Sequence, residues 1–167
     1  MQIRLAGVEK ESIVDGPGFR YTVFVQGCPH ACPGCHNPHT HDFNAGYVAD
    51  TDELFTDILR NPLLRGVTFS GGEPFCQSVP LHDLGQKLKA SGYDIVTYTG
   101  YTLEELLEKS VEEEGIMPLL MVTDVLIDGR FLLAEKNILL RFRGSANQRL
   151  LDCPASLREG RPVPFAV

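Results

Sequence analysis

Three cysteines fall close together as Cys28-x3-Cys32-x2-Cys35, in a stretch from 28 to 41 that also carries His30, His36, His39 and His41. Buried structural cysteines usually scatter through a core as small apolar groups, so this crowding points to ligation or redox chemistry. Pro29, Pro33 and Pro38 stiffen the backbone and Gly34 lets it turn sharply, which allows the thiols to converge. Three chemistries fit the spacing. A structural zinc ion would take three thiolates and one imidazole. An iron–sulfur cluster normally takes four thiolates, so a cubane on three would keep one iron open for chemistry. Ordinary redox thiols are the third reading. Cys76 and Cys153 are both candidates for a fourth ligand.

A second stretch suited to chemistry is Ser70-Gly71-Gly72-Glu73-Pro74. Two glycines at a strand's end let a ligand approach the backbone and leave amide donors exposed, while Glu73 offers a carboxylate to an amino group. Many tight strand-to-helix turns carry two glycines, so this segment alone is a weak signal. One βα unit downstream of the cysteine loop, it becomes a strong one.

The elements that position these stretches are readable from periodicity. Phe19, Tyr21, Val23 and Val25 alternate at period two, a strand that runs into Gly27 and Cys28. The cysteine loop therefore starts at the C-terminal end of a strand, where α/β folds place their active sites. Asp50 or Thr51 is expected to cap a helix through Arg60, with Leu54, Phe55, Ile58 and Leu59 on one face. Residues 66–70 read as a short buried strand, followed by a helix with Pro80 in its first turn and Ser91-Gly92 at its end. Residues 93–99 form another strand, and Thr102-x-x-Glu105 is a capping box for the helix that follows. Residues 119–127 and 137–142 are expected to be strands, and the tail from Cys153 irregular. Residues 3–14 alternate only weakly. Strands alternating with helices imply an α/β fold with five or six mostly parallel strands, an open partial (β/α) barrel.

Composition sets the frame. The chain has 167 residues, a length that suits one domain, 1–167, with its cluster loop at 28–41. Its hydrophobic content of 43% and charged content of 22% are those of a globular protein. No apolar run approaches a membrane span, and the N-terminal residues lack a signal peptide's apolar core, so a cytoplasmic protein is expected. An odd count of five cysteines, three of them crowded, argues against a disulfide framework. The net charge of −7 argues against a nucleic-acid backbone as partner.

Taken together, Cys-x3-Cys-x2-Cys followed by a strand and Gly-Gly-Glu-Pro resembles the radical S-adenosylmethionine superfamily. The resemblance implies a 4Fe–4S cluster held by Cys28, Cys32 and Cys35, with S-adenosylmethionine chelating the free iron. It assigns Gly71, Gly72 and Glu73 to the methionine part and Gly34 and His36 to the border of the adenine, with Cys35 and Ser70 among the cofactor contacts. Thr99 and Asp128 join the expected cofactor contacts. Asp15-Gly16-Pro17-Gly18-Phe19-Arg20 and Cys35-His36-Asn37-Pro38 are similar to the glycyl-radical activating enzymes within that superfamily. The blocks at 99–106, 124–131 and 143–149 resemble the activators of anaerobic ribonucleoside-triphosphate reductase, so the likeness spans residues 15 to 149.

That likeness implies an activase. The reduced cluster would cleave S-adenosylmethionine, and the 5′-deoxyadenosyl radical would take a hydrogen from a glycine on the reductase's large subunit. An external one-electron donor such as flavodoxin is implied as well. The alternatives are an activator of another glycyl-radical enzyme, such as pyruvate formate-lyase, and a zinc-stapled interaction domain. One departure stands out: where activators of pyruvate formate-lyase carry an aspartate-threonine pair that helps bind a cation, this chain has Tyr98-Thr99. His30, His39 and His41 are expected at the loop surface. Asn147 and Gln148 are open between cofactor contact and surface cap, and Arg130 and Arg143 between a partner contact and ordinary surface.

Overall fold

Alternation in β2 (Arg20–Val25) puts Tyr21, Val23 and Val25 on one face, inside the main apolar core, and Arg20, Thr22 and Phe24 on the other. The same parity runs through the neighbouring strands of the structure, a computed structural model that describes residues 1–166. Val67 and Phe69 of β4 (Gly66–Gly71), Ile95 of β5 (Asp94–Tyr98) and Leu126 of β6 (Val125–Asp128) all enter the main core. These four strands are parallel, in the order β2-β4-β5-β6. β1 (Gln2–Ser12) and β3 (Tyr47–Asp50) add antiparallel strands on one side, and β7 (Arg149–Asp152) adds one on the other. The result is an open seven-stranded sheet, the partial barrel expected but with more than the five or six strands read from periodicity, because β1 and β3 escaped that reading.

Helices cover the face opposite the concave one. α1 (Thr51–Leu59) buries Leu54 and Ile58, and Asp50 caps it by accepting from the Asp52 amide. α2 (Ser78–Ala90) buries Leu81, Leu84 and Leu88 completely, each worth about 1.5–3 kcal/mol of apolar burial. α3 (Leu103–Lys109) starts at Thr102, whose hydroxyl accepts from the Glu105 amide, the first half of the expected capping box. Glu105's carboxylate instead takes Arg130 in a two-pronged ion pair.

The structure departs from the pattern reading in four places. The apolar run at 119–127 is split between α4 (Ile116–Val122) and β6. β6 is buried and the outward face of α4 carries Met121 rather than a polar residue, so no polar face marks the change of period, and Pro118 suits the first helical turn. Residues 137–142 form a turning loop, with Ile138 and Leu139 out in solvent, and the last strand lies later, at β7. The tail from Cys153 begins with a helix, α5 (Cys153–Glu159), which Asp152 caps and Gly160 ends at φ 68°. Its Asp-Cys-Pro opening is a helix-start signature. Residues 3–14 are mostly strand β1, and register shifts near Gly7 and between Glu9 and Ser12 break the alternation that would have marked it.

Candidate functional site

The cysteine loop leaves the end of β2 and is closed at its base by two backbone bonds. Gly27 N donates to Thr40 O at 2.7 Å and Cys28 N to His41 O at 3.1 Å. The Gln26 amide group ties the same base, donating to His39 O and Asp42 O. Within the loop, Ala31 and Gly34 adopt positive φ of 48° and 76°, which reverses the chain twice and brings the thiols to one side. Cys28, Cys32 and Cys35 are all half-buried, and all three line a cavity of about 560 Å³ at the C-terminal ends of the parallel strands. Burial pushes the Cys28 thiol upward, partly opposed by the His30 and Ala31 amides, so a bound metal must drive off its proton.

Across the cavity stand Ser70, Gly71 and Gly72, with Thr99 and Gly100 beside them. The two glycines are required by packing as much as by any ligand. A Cβ on Gly71, at φ +99°, would lie 2.5 Å from Val25 N, and one on Gly72 would lie 2.3 Å from Gly27 O. Gly72 N donates to Val25 O and Glu73 N to Gly27 O, so the end of β4 is laced to the start of the cysteine loop. Side chains there would pry the two apart.

Glu73 does not offer its carboxylate to the cavity. It is fully buried, and its two oxygens accept from His30 Nε2 (2.7 Å), the Gly100 amide (2.8 Å), the Phe75 amide (3.0 Å) and the Thr99 hydroxyl. Those partners come from three separate chain segments, so Glu73 is a hub that joins the cysteine loop, the glycine turn and the end of β5. His30 is likewise no surface residue: its side chain is 6% exposed and its ring meets Tyr101 edge-on at 4.5 Å. The missed signal was pairing. A histidine two residues after the first cysteine can reach a carboxylate only if both loops leave adjacent strand ends.

Asp128 also faces away from the cavity. Strand alternation places it with Leu126 on the helix side, where it is fully buried. It accepts from Arg149 Nε at 2.9 Å and from the Leu103 amide at 2.7 Å, which ties β7 and the start of α3 to β6. Gly129, the next residue, lines the cavity instead. Gly34 lies outside the cavity wall, facing Leu133, whereas His36 lines it and tilts against Phe131 at 5.3 Å. Tyr98 is on the concave face and donates its hydroxyl to Phe142 O.

Neither remaining cysteine reaches the cavity. Cys76 is exposed on the turn after Glu73, and its thiol is pushed up to about 12 by partial desolvation, with the Glu73 charge adding to it. Cys153 is buried at the start of α5, donates to Leu120 O, and is also pushed up to about 12 by burial. His41 lines the cavity and His39 is exposed. Gln148 staples the far rim, with its oxygen accepting from the Gly144 and Ser145 amides and its nitrogen donating to Gly129 O.

Below the cavity, toward the N-terminal ends of the parallel strands, the concave face is polar. Arg20 is fully buried and donates to Thr68 Oγ1, Val67 O and Pro17 O while pairing with Asp94. Desolvation pulls its pKa down, against the pull of Asp94. Asp15 reaches the cavity from the turn that Arg20 anchors, its carboxylate held by the Ser12 and Thr22 hydroxyls. The donor set is therefore three thiols on one wall, hydroxyls and backbone on the other, in a space of the size small-molecule cofactors occupy. That fits a thiolate-held cluster with one organic ligand beside it.

The 4Fe-4S single cluster domain family matches residues 14–151. The anaerobic ribonucleoside-triphosphate reductase-activating protein of Escherichia coli K12 is 40% identical over 144 residues, covering 81% of this chain and 90% of that protein. The protein of the same name from enterobacteria phage T4 is 33% identical over 145 residues, covering 82% of this chain and 86% of that one. A crystal structure of QueE from Escherichia coli gives a partial likeness, TM-score 0.48 at 22% identity, over 61% of this chain and 54% of that chain.

Proposed function

The chain belongs to the 4Fe-4S single cluster domain family and, within it, to the anaerobic ribonucleoside-triphosphate reductase-activating proteins, and we propose how its own residues carry that activity. Cys28, Cys32 and Cys35 hold the 4Fe–4S cluster, and Ser70, Gly71, Gly72, Thr99 and His36 border S-adenosylmethionine. When bound, and given an electron from outside, these cofactors would supply one-electron radical chemistry directed at a glycine of the reductase. The chain's part is to hold both in one cavity, shut out water, and leave one side open for the partner. One observation carries the reading: the three thiols and the glycine turn share a single cavity at the C-terminal ends of parallel strands.

Glu73 and Asp128 act here as positioning residues rather than as cofactor ligands, because their carboxylates are already saturated by protein donors. Tyr98 occupies the place where a cation-binding carboxylate would stand, and its hydroxyl is engaged with Phe142 O, which favours a site without that cation. An external one-electron donor such as a flavodoxin and a reducing cytoplasm complete the proposal. No described helix is long and apolar enough to cross a membrane.

The test is anaerobic reconstitution followed by dithionite and S-adenosylmethionine, with 5′-deoxyadenosine measured. Product from the wild-type protein and none from Cys32→Ala supports the assignment. An intact cluster that yields no product, or a fully active Cys32→Ala protein, ends it.

A further inference from the structure

Beside the cavity lies a second groove of about 540 Å³, lined by Leu139, Leu150, Leu151, Pro162, Pro164 and Phe165 with Arg141, Arg143 and Arg149 at its edge. It is continuous with the cavity, because Leu140, Arg141 and Arg143 line both. Its apolar lip is unusually bare: Ile138 is 87% exposed and Leu139 86%. Two adjacent aliphatic side chains held out in water cost apolar hydration that a partner would relieve. The loop that carries them is nonetheless fixed. Asn137 N donates to Gly144 O, Ala146 N to Glu135 O, and the Asn137 side chain accepts from the Leu139 amide.

Charge says what kind of partner fits. The chain carries a net −7, yet among the described residues no acidic side chain lines this groove. Arg149 is occupied by Asp128 and Glu104, but Arg141 and Arg143 make no ion pair among the described residues. Arg141 instead rests over the Phe142 ring, 5.1 Å from its centroid. Arg143 gives one N–H to Gln148 O, which leaves its remaining donors for a ligand. Two guanidinium groups without a carboxylate partner among the described residues, set beside an apolar trough, suit an aliphatic or aromatic side chain with a carboxylate close by.

We propose that this groove docks a segment of the reductase flanking its radical-bearing glycine, seating an apolar side chain against Leu139, Leu150 and Phe165 and a carboxylate against Arg141 and Arg143. The inference rests on the function proposed above. It adds an anchor outside the cofactor cavity: seating the flank in the groove feeds the neighbouring chain across the shared rim at Leu140 and into the cavity. Binding energy spent there positions the glycine without crowding the reacting atoms.

The experiment uses the reconstituted protein and the intact reductase. Leu139→Asp introduces a charge at a highly exposed position that lines only the groove, and Val111→Asp does the same at a residue 85% exposed after α3, outside both spaces. Affinity for the reductase is measured alongside 5′-deoxyadenosine formation without the reductase. Leu139→Asp is expected to weaken reductase binding by about tenfold or more, with unchanged 5′-deoxyadenosine formation, while Val111→Asp binds as wild type. Wild-type binding should also weaken as salt rises, and Arg141→Glu should remove most of that dependence. Reductase affinity of Leu139→Asp within twofold of wild type overturns the groove's assignment. A wild-type protein that forms 5′-deoxyadenosine but never binds the reductase overturns the functional reading and the groove with it.

Discussion

His30 Nε2 sits 2.7 Å from Glu73 Oε1, with both side chains almost wholly out of water. This contact makes the cysteine loop and the glycine turn one mechanical unit. The loop's other hydrogen bonds to the barrel, from the Gly27 and Cys28 amides and the Gln26 side chain, lie at its base, so His30 is the side chain that links the thiols' end of the loop to the glycine turn.

Replacing His30 therefore acts on stability before any cofactor is added. His30→Ala should lower the unfolding free energy of the cluster-free protein by about 1–3 kcal/mol, since it strips a donor from a buried carboxylate. His30→Gln, which keeps a donor, should recover part of the loss. Urea denaturation of the three proteins checks this, and amide exchange in residues 28–41 should quicken in His30→Ala.

The glycine pair is expected to be intolerant for steric reasons. Gly72→Ala would place a methyl 2.3 Å from Gly27 O, and Gly71→Ala would add a clash with Phe24 and Val25 backbone at positive φ. Each should cost on the order of 2–4 kcal/mol, and Ser70→Ala, which meets no such wall, under about 1 kcal/mol. Thermal melts of the cluster-free variants separate the two outcomes.

Asp128 should prove a structural residue. Asp128→Asn breaks the ion pair with Arg149 and weakens the cap on α3, and is expected to cost on the order of 2–3 kcal/mol. Affinity for S-adenosylmethionine, compared at a temperature where both proteins are folded, should change by less than about threefold. A large loss of affinity with full stability would restore Asp128 as a ligand.

Acid stability has identifiable carriers. The Tyr21 hydroxyl and then Lys10 hold the Asp57 carboxyl below its ordinary range, and the Thr51 hydroxyl and then Lys87 do the same for Asp83. Their folded values are depressed, so their contribution is complete above the ordinary value of about 4 and is lost as pH falls through the folded values. Asp57→Asn should flatten the fall of stability with acidification in that window. An unchanged slope in urea midpoints against pH would contradict it.

Much of the frame was legible in the chain itself. Tyr21, Val23 and Val25 marked a strand by parity, Leu81, Leu84 and Leu88 marked a helix, and the three cysteines with Gly71 and Gly72 did meet in one cavity. What escaped was whatever depends on which face or which neighbour a residue finds. Asp128 sits one position out of phase with the concave face, and residues 119–127 gave no helical period because the exposed position there is Met121, itself apolar. His30 and Glu73 are 43 residues apart, and only the pairing of β2 with β4 makes them partners. Asn137 to Phe142 has the composition of a strand, yet Ile138 and Leu139 face solvent while Phe142 packs back against Val96, Val125 and Ile127.

The central claim is that Cys28, Cys32 and Cys35 hold the cluster whose chemistry places a radical on the reductase. Mixing the reconstituted protein anaerobically with reductase, S-adenosylmethionine and reductant, then recording electron paramagnetic resonance, tests it directly. The account predicts a glycyl doublet with the wild-type protein and with Cys76→Ser and Cys153→Ser, and none with Cys32→Ala. A doublet of wild-type size from Cys32→Ala, or none from a wild-type protein with its cluster intact, would contradict it.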